Sequence, residues 1–174
     1  MLCKSLFVLC ILSLSLIGNP VMASVQARIP DKFMGSFKLD RSENFDEFLA
    51  SKGVNWFIRK MIQFASLTKT FSVSKTDPDN AYDAANLSSK KNTHFNNWKL
   101  NETFTAEGMD DKMHRITFNF DDKNDTLTET HIRTDDPNDK GETYYYTISG
   151  DELVMKIAND QVTCHRYFKK QSSS

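Results

Sequence analysis

Residues 142–157 read ETYYYTISGDELVMKI, and their pattern decides the fold class. Two runs rich in Tyr, Thr, Ile and Val flank Ser149-Gly150-Asp151. Such runs favour a pleated strand, and Gly and Asp between them supply a tight turn, so the segment reads as a β-hairpin. The same grammar continues outward. VTCHRYF (162–168) follows, and TLTETHIRT (126–134), HRITFNFDD (114–122) and FSVSK (71–75) precede, all with period-two alternation. Asn159-Asp160, Asp135-Asp136-Pro137-Asn138, Asp121 to Asn124, Glu107-Gly108 and Asp77-Pro78-Asp79-Asn80 separate the runs as turns. Many short strands joined by tight turns make an antiparallel meander, and closing it into a barrel hides its edges. The alternating faces are not purely apolar. Tyr144 and Tyr146 share one face, and Cys164, Arg166 and Phe168 share another. Either these polar groups face solvent, or the interior is partly polar and every buried group finds a partner or a water.

Upstream the period changes. FDEFLASK (45–52) places Phe45, Phe48 and Leu49 on one helical face, Asn44 and Glu47 have the spacing of a capping pair, and Gly53 is a helix stop. VNWFIRKMIQFAS (54–66) sets Phe57, Met61 and Phe64 at helical spacing, with Arg59, Lys60 and Gln63 as its polar side. The pair reads as a helix–turn–helix of roughly twenty residues.

The chain begins with one charge, Lys4, then the apolar run SLFVLCILSLSLIG, the breakers Asn19-Pro20, and Val21-Met22-Ala23. A basic start, a short apolar core and small residues at a cleavage position are the parts of a secretory signal peptide, expected over residues 1–23 with cleavage after Ala23. The expected mature domain, 24–174, carries 21 basic and 23 acidic residues because Lys4 is the one charge lost. That near-balance supplies no field for nucleic acid. Cys3 and Cys10 leave with the signal, so Cys164 stands alone as a buried structural thiol and no internal disulfide is expected. Asn86-Leu-Ser, Asn101-Glu-Thr and Asn124-Asp-Thr are acceptor triplets for N-glycosylation in a secreted chain. There is no phosphate loop, no G-x-S-x-G and no H-E-x-x-H, and His94, His114, His131 and His165 lack partners at metal-ligand spacing. No catalytic residue, metal or cofactor is expected, and the chain reads as a non-enzyme.

Phe33-Met-Gly-Ser-Phe-Lys-Leu39 with Ser42-Glu-Asn-Phe-Asp-Glu-Phe-Leu49, then Gly53-Val54, Arg59-Lys60, Lys91-Asn-Thr93, Trp98-Lys-Leu100 and Val162-Thr-Cys-His-Arg-Tyr-Phe-Lys-Lys170, closely resemble the intracellular lipid-binding protein family. That family comprises the fatty-acid-binding and cellular retinoid-binding proteins. The resemblance spans about residues 30–170 and implies an all-β fold: a ten-stranded antiparallel up-and-down barrel, or β-clam, with a helix–turn–helix lid. The signal peptide and longer turns at Thr76–Asn80 and Thr134–Gly141 resemble the family's secreted nematode branch. One extra residue within Phe95–Trp98 also departs from the usual pattern.

The resemblance implies a ligand site as well. A carboxylate enclosed in a barrel needs a paired cation, and an Arg fork suits it. The family places such an Arg on the last strand in an Arg-x-Tyr pattern, and Arg166 falls on it. Phe168 stands where the Tyr is usual, and Tyr146 stands where many members carry a second Arg. Tyr146 and Tyr144 are therefore expected to supply neutral hydrogen bonds. Phe45, Trp56 and Phe57 are portal candidates that pack the lid, with Arg59 and Lys60 a basic patch for transient membrane contact. The expected function is an extracellular, monomeric carrier of a long-chain fatty acid, or a similar apolar ligand such as a retinoid. The alternative is a secreted interaction protein that uses the same barrel to bind a protein or matrix partner.

Overall fold

The computed structural model describes residues 28–172, so the signal-peptide reading of residues 1–23, with Cys3 and Cys10, lies outside the described residues. A single 3-10 turn, Asp31–Phe33, leads into β1 (Gly35–Glu43). Two helices follow, α1 (Phe45–Ser51) and α2 (Trp56–Phe64). Then come β2 (Leu67–Val73), β3 (Tyr82–Ser88), β4 (Thr93–Trp98), β5 (Thr103–Glu107), β6 (Met113–Asp121), β7 (Thr126–Arg133), β8 (Glu142–Ser149), β9 (Glu152–Ala158) and β10 (Thr163–Lys170). One antiparallel sheet runs in the order β4-β3-β2-β1-β10-β9-β8-β7-β6-β5. The chain ends meet in the middle, where β1 pairs with β10 from Phe37–Lys170 to Glu43–His165. The barrel is nearly closed. The seam lies between β4 and β5, where a lone parallel bridge joins Leu100 to Phe118.

The hairpin that opened the sequence reading forms in register, with Ile148 opposite Leu153 and Tyr146 opposite Met155. That register continues into β10, where Met155 faces Arg166, and into β7, where Tyr146 faces Leu127. Arg166, Met155, Tyr146 and Leu127 thus form one row across four strands, all buried. The extra residue predicted in β4 is Asn97, at φ +57, where the ladder slips between Tyr82–Trp98 and Ala84–Phe95. It is not idle. Asn97 N–H donates to Asp83 Oδ1 at 2.8 Å, and its Oδ1 accepts from Ser74 and Thr76, tying the long turn after β2 to the sheet.

One end of the barrel is filled by aromatic side chains. Phe33, Phe37, Phe118 and Phe168 are fully enclosed, and Trp98 stacks on Phe118 at 3.9 Å. Each such side chain contributes about 1.5–3 kcal/mol by leaving water. At the helix-covered end α1 is anchored by buried Phe48, and Ser51 Oγ accepts from Asn159 Nδ2 at 2.7 Å. Gly53 stops α1 at φ +76, as expected. The Asn44–Glu47 capping pair does not form. Asn44 is itself left-handed and spends its amide on Thr163 O at 3.0 Å, because the chain must turn sharply from β1 into α1 beside β10.

The larger correction concerns α2. Its apolar residues were expected to seat the lid, yet none is buried: Trp56, Phe57, Ile58 and Met61 are exposed, and Phe64 is 88 % exposed. Polar tethers hold the helix instead. Asp46 Oδ1 accepts from Arg59 Nε at 3.1 Å and from Gln63 Nε2 at 2.7 Å, and Lys60 approaches the same oxygen at 3.5 Å. Lys52 pairs with Glu142 on β8. The expected basic patch is therefore largely neutralised by its own neighbours.

Candidate ligand-binding site

Of the two readings left open for the mixed faces, the polar interior is the one the fold adopts. On β2, Lys69 alternates with Phe71 and points inward, 7 % exposed. On β7, Glu129 lies between Leu127 and His131 on the inner face and is 2 % exposed. Lys69 Nζ lies 3.4 Å from Glu129 Oε2 and donates to Asn86 Oδ1 at 2.7 Å. The other carboxylate oxygen bonds His131 Nε2 at 2.7 Å, and Tyr146 donates its hydroxyl to Oε2 at 2.5 Å. Asn86 in turn donates to Thr93 Oγ1 at 3.0 Å. The His131 ring meets His114 edge-on at 5.3 Å and Tyr144 at 5.5 Å.

A buried charge survives only if it is paired and hydrogen-bonded, and this cluster meets that condition. Burial opposes ionisation of Glu129, but Lys69, His131 and Tyr146 outweigh it and hold its carboxyl well below the usual carboxylate range. Burial draws the Lys69 ammonium down, with Glu129 opposing. Burial and the Glu129 charge together raise the Tyr146 hydroxyl well above an ordinary phenol.

Arg166 is different. It is 8 % exposed, its Nε donates to Ser42 Oγ at 3.2 Å, and its guanidinium lies 4.0 Å from the centre of the Phe45 ring and 5.8 Å from that of Phe168. Among the described residues no carboxylate pairs with it and no acceptor takes its terminal nitrogens. Burial pulls its pKa down to about 10, so it is a charged group at neutral pH in a place that resists charge. Cys164 on the same face is fully buried and its thiol is pushed up to about 11 by burial, in keeping with a structural role. Tyr167, between Arg166 and Phe168, faces out, donating to Glu43 at 3.0 Å beneath the Arg41 guanidinium.

The expected neutral donors are not spare. The Tyr146 hydroxyl is committed to Glu129, and the half-buried Tyr144 donates to Glu142 Oε1 at 2.5 Å. Phe168 is fully buried beside Arg166. Of the portal candidates, Phe45 is half-buried on Arg166, Trp56 and Phe57 are exposed on α2, and Arg59 and Lys60 bind Asp46. Asn86 cannot carry a glycan in this fold, because its amide is enclosed between Lys69 and Thr93, whereas Asn101 and Asn124 lie exposed in turns. Lys69, Glu129, His131 and Asn86 escaped the sequence reading as interior groups. Their signal was present as polar residues in phase with Phe71, Leu127 and Ala84. Among the described residues no cluster of three or more His, Cys, Asp or Glu could hold a metal.

Ten antiparallel strands, a helix pair over one end and buried charge inside define a lipid-binding barrel of the calycin type. No family model matches the chain. Curated relatives do. The fatty acid-binding protein homolog 3 of Caenorhabditis elegans is 51 % identical, covering 87 % of this chain and 90 % of the relative. The fatty acid-binding protein homolog of Ascaris suum is 47 % identical over 93 % of this chain and 99 % of its own. The solved structure of As-p18, an extracellular fatty acid binding protein, superposes with a TM-score of 0.80 at 48 % identity, covering 83 % of this chain and all of that one. The chain belongs to the fatty-acid-binding protein family.

Proposed function

We propose that the protein is an extracellular carrier of a long-chain fatty acid whose carboxylate is held by Arg166. The observation that carries this reading is the contrast inside the barrel. Lys69 already has its anion in Glu129, while Arg166 is buried with none among the described residues. A ligand carboxylate would supply the missing charge and accept a planar, charge-assisted pair from the guanidinium. Glu129 adds direction, because its own negative charge repels a ligand carboxylate from the Tyr146 side. The head group therefore belongs at Arg166. The absence of spare hydroxyls at Tyr144 and Tyr146 leaves the anchor dependent on this one cation.

Secretion rests on the signal-peptide features of residues 1–23 and on likeness to an extracellular protein. Mature protein beginning at Ser24 in culture medium, read by N-terminal sequencing, tests it. In a secreted chain Asn101 and Asn124 are the acceptors open to a glycan, and a mass shift on peptide N-glycosidase treatment reads their occupancy. The exposed apolar residues of α2 favour brief membrane contact by a monomer during ligand transfer. No enzymatic step is assigned to it.

Titration of the purified protein with a fluorescent fatty acid tests the carrier reading. Saturable one-to-one binding in the micromolar range or tighter is expected. Arg166→Ala should weaken a fatty acid about ten- to a hundredfold, the worth of a charge-assisted bond, and leave a fatty alcohol of equal length much less affected. Equal losses for the two would remove Arg166 from the head-group role.

A further inference from the structure

Arg166 has two sets of neighbours. Toward the barrel interior it lies in the row with Tyr146. On its other side it forms the inner wall of a partly open cleft of about 470 Å³ between β1, α1 and α2, where Ser42, Phe45, Asp46, Glu47 and Gln63 also contribute. That volume is on the scale of a small-molecule site, about 300–1,000 Å³. A carboxylate of three heavy atoms leaves most of it unfilled.

Asp40 and Arg41 on the β1 wall are paired with Lys169 and Glu152, and the remaining charges in the cleft are ordered by depth. The cation is innermost: Arg166 is more than nine-tenths buried, with no acceptor for its terminal nitrogens among the described residues. The anions lie outward. Asp46 is half-buried and lines the cleft, and its tethers to Arg59, Lys60 and Gln63 all converge on Oδ1. Glu47 is exposed at the rim, one residue further on, and has no ion-pair partner among the described residues. A head group that fits this order carries its negative charge near the chain and its positive charge beyond.

We infer that the cleft is a head-group site for a zwitterionic single-chain phospholipid, with the phosphate on Arg166 and the ammonium against Glu47 and Asp46. A lysophosphatidylcholine has that order along its length: acyl chain, glycerol, phosphate, quaternary ammonium. A free fatty acid uses the inner half of the site alone. A lysophosphatidic acid places its excess negative charge against the acidic rim. The inference rests on the carrier reading and extends it from the acyl chain and its first anion to the rest of the head group.

The test compares palmitate, palmitoyl-lysophosphatidic acid and palmitoyl-lysophosphatidylcholine by calorimetric titration, each below its micelle concentration, on the full mature chain. Palmitoyl-lysophosphatidylcholine should bind at least as tightly as palmitate and more tightly than the phosphatidic acid. Glu47→Gln, which removes no contact within the protein, should weaken the choline lipid about threefold and leave palmitate unchanged, and Glu47→Lys should weaken it further. Circular dichroism of the variants guards against a folding defect. A lysophosphatidylcholine that fails to bind while palmitate binds overturns the head-group site alone. So does a Glu47→Gln loss shared equally by palmitate. Failure of all three lipids overturns the carrier reading itself.

Discussion

Lys69 and Arg166 are both buried cations facing the inside of one barrel, and their surroundings are opposite. Lys69 sits in a closed circuit with Glu129, Asn86, His131 and Tyr146, in which each charge is answered by the protein. Arg166 has a serine hydroxyl, two aromatic rings and no anion among the described residues. The first arrangement is complete in the folded chain alone, and its energy belongs to folding. The second is left incomplete by folding, and the proposed ligand carboxylate would complete it. The difference teaches that burial alone does not single out a charge; whether the fold itself answers it does.

The sharpest way to break the contrast is to remove one member of the completed cluster. Glu129→Leu strands the Lys69 ammonium, and a loss of about 3–5 kcal/mol is expected from urea unfolding. Lys69→Met added to Glu129→Leu should return much of that loss, since an apolar pair of similar volume replaces the ion pair. A double variant as unstable as the single one would mean that packing, not charge, governs the site.

Acid offers the same test without a substitution. The folded state holds the Glu129 carboxyl below its unfolded value, about 4.3, so the folded protein binds fewer protons than the unfolded one. Its contribution is complete above that unfolded value and is lost as pH falls through it toward the folded value. Stability should therefore drop by on the order of 2–3 kcal/mol on acidification below about pH 4.5. The double variant should be flatter over that range, as read by urea midpoints at successive pH values.

Arg166→Met should behave in the opposite way to Glu129→Leu. It removes a charge that burial disfavours, so ligand-free stability should hold or rise by about 1 kcal/mol while fatty-acid affinity falls at least tenfold. Destabilisation comparable to that of Glu129→Leu would erase the distinction between the two cations. The smallest effect belongs to the lid. Phe64→Ser removes a side chain that is almost wholly exposed and should move the unfolding free energy by no more than about 0.5 kcal/mol. Its expected readout is a slower transfer of fluorescent fatty acid to vesicles.

Much of this architecture was legible in the chain because it rests on local periodicity. Strands β6 to β10 alternate so clearly that their bounds in the fold lie within a few residues of those read from the pattern. Strands β3 to β5 carry weaker alternation and came from resemblance. The bulge at Asn97 showed as one residue too many, though its ties to Ser74 and Thr76 join segments far apart in sequence and could not. Arg166 stands out in the sequence through a matched motif on the last strand, and the fold places it in the interior. The Lys69–Glu129 pair was missed because its members are 60 residues apart and each looks like an ordinary polar residue on a strand. The exposure of α2 was missed for a related reason: amphipathic spacing shows that a helix has an apolar face, not whether anything covers it.

What the sequence determined by itself is the set of properties that depend on neighbours along the chain: strand and helix periods, turns and the near-balance of charge. The tertiary structure decided which charges share the interior, because that depends on strand register across the barrel. Register set Lys69 against Glu129 and left Arg166 beside Ser42 and Phe45 with its charge unanswered among the described residues. A burial cost falls on every cation taken from water, and only the three-dimensional arrangement decides whether the protein or a ligand offsets it.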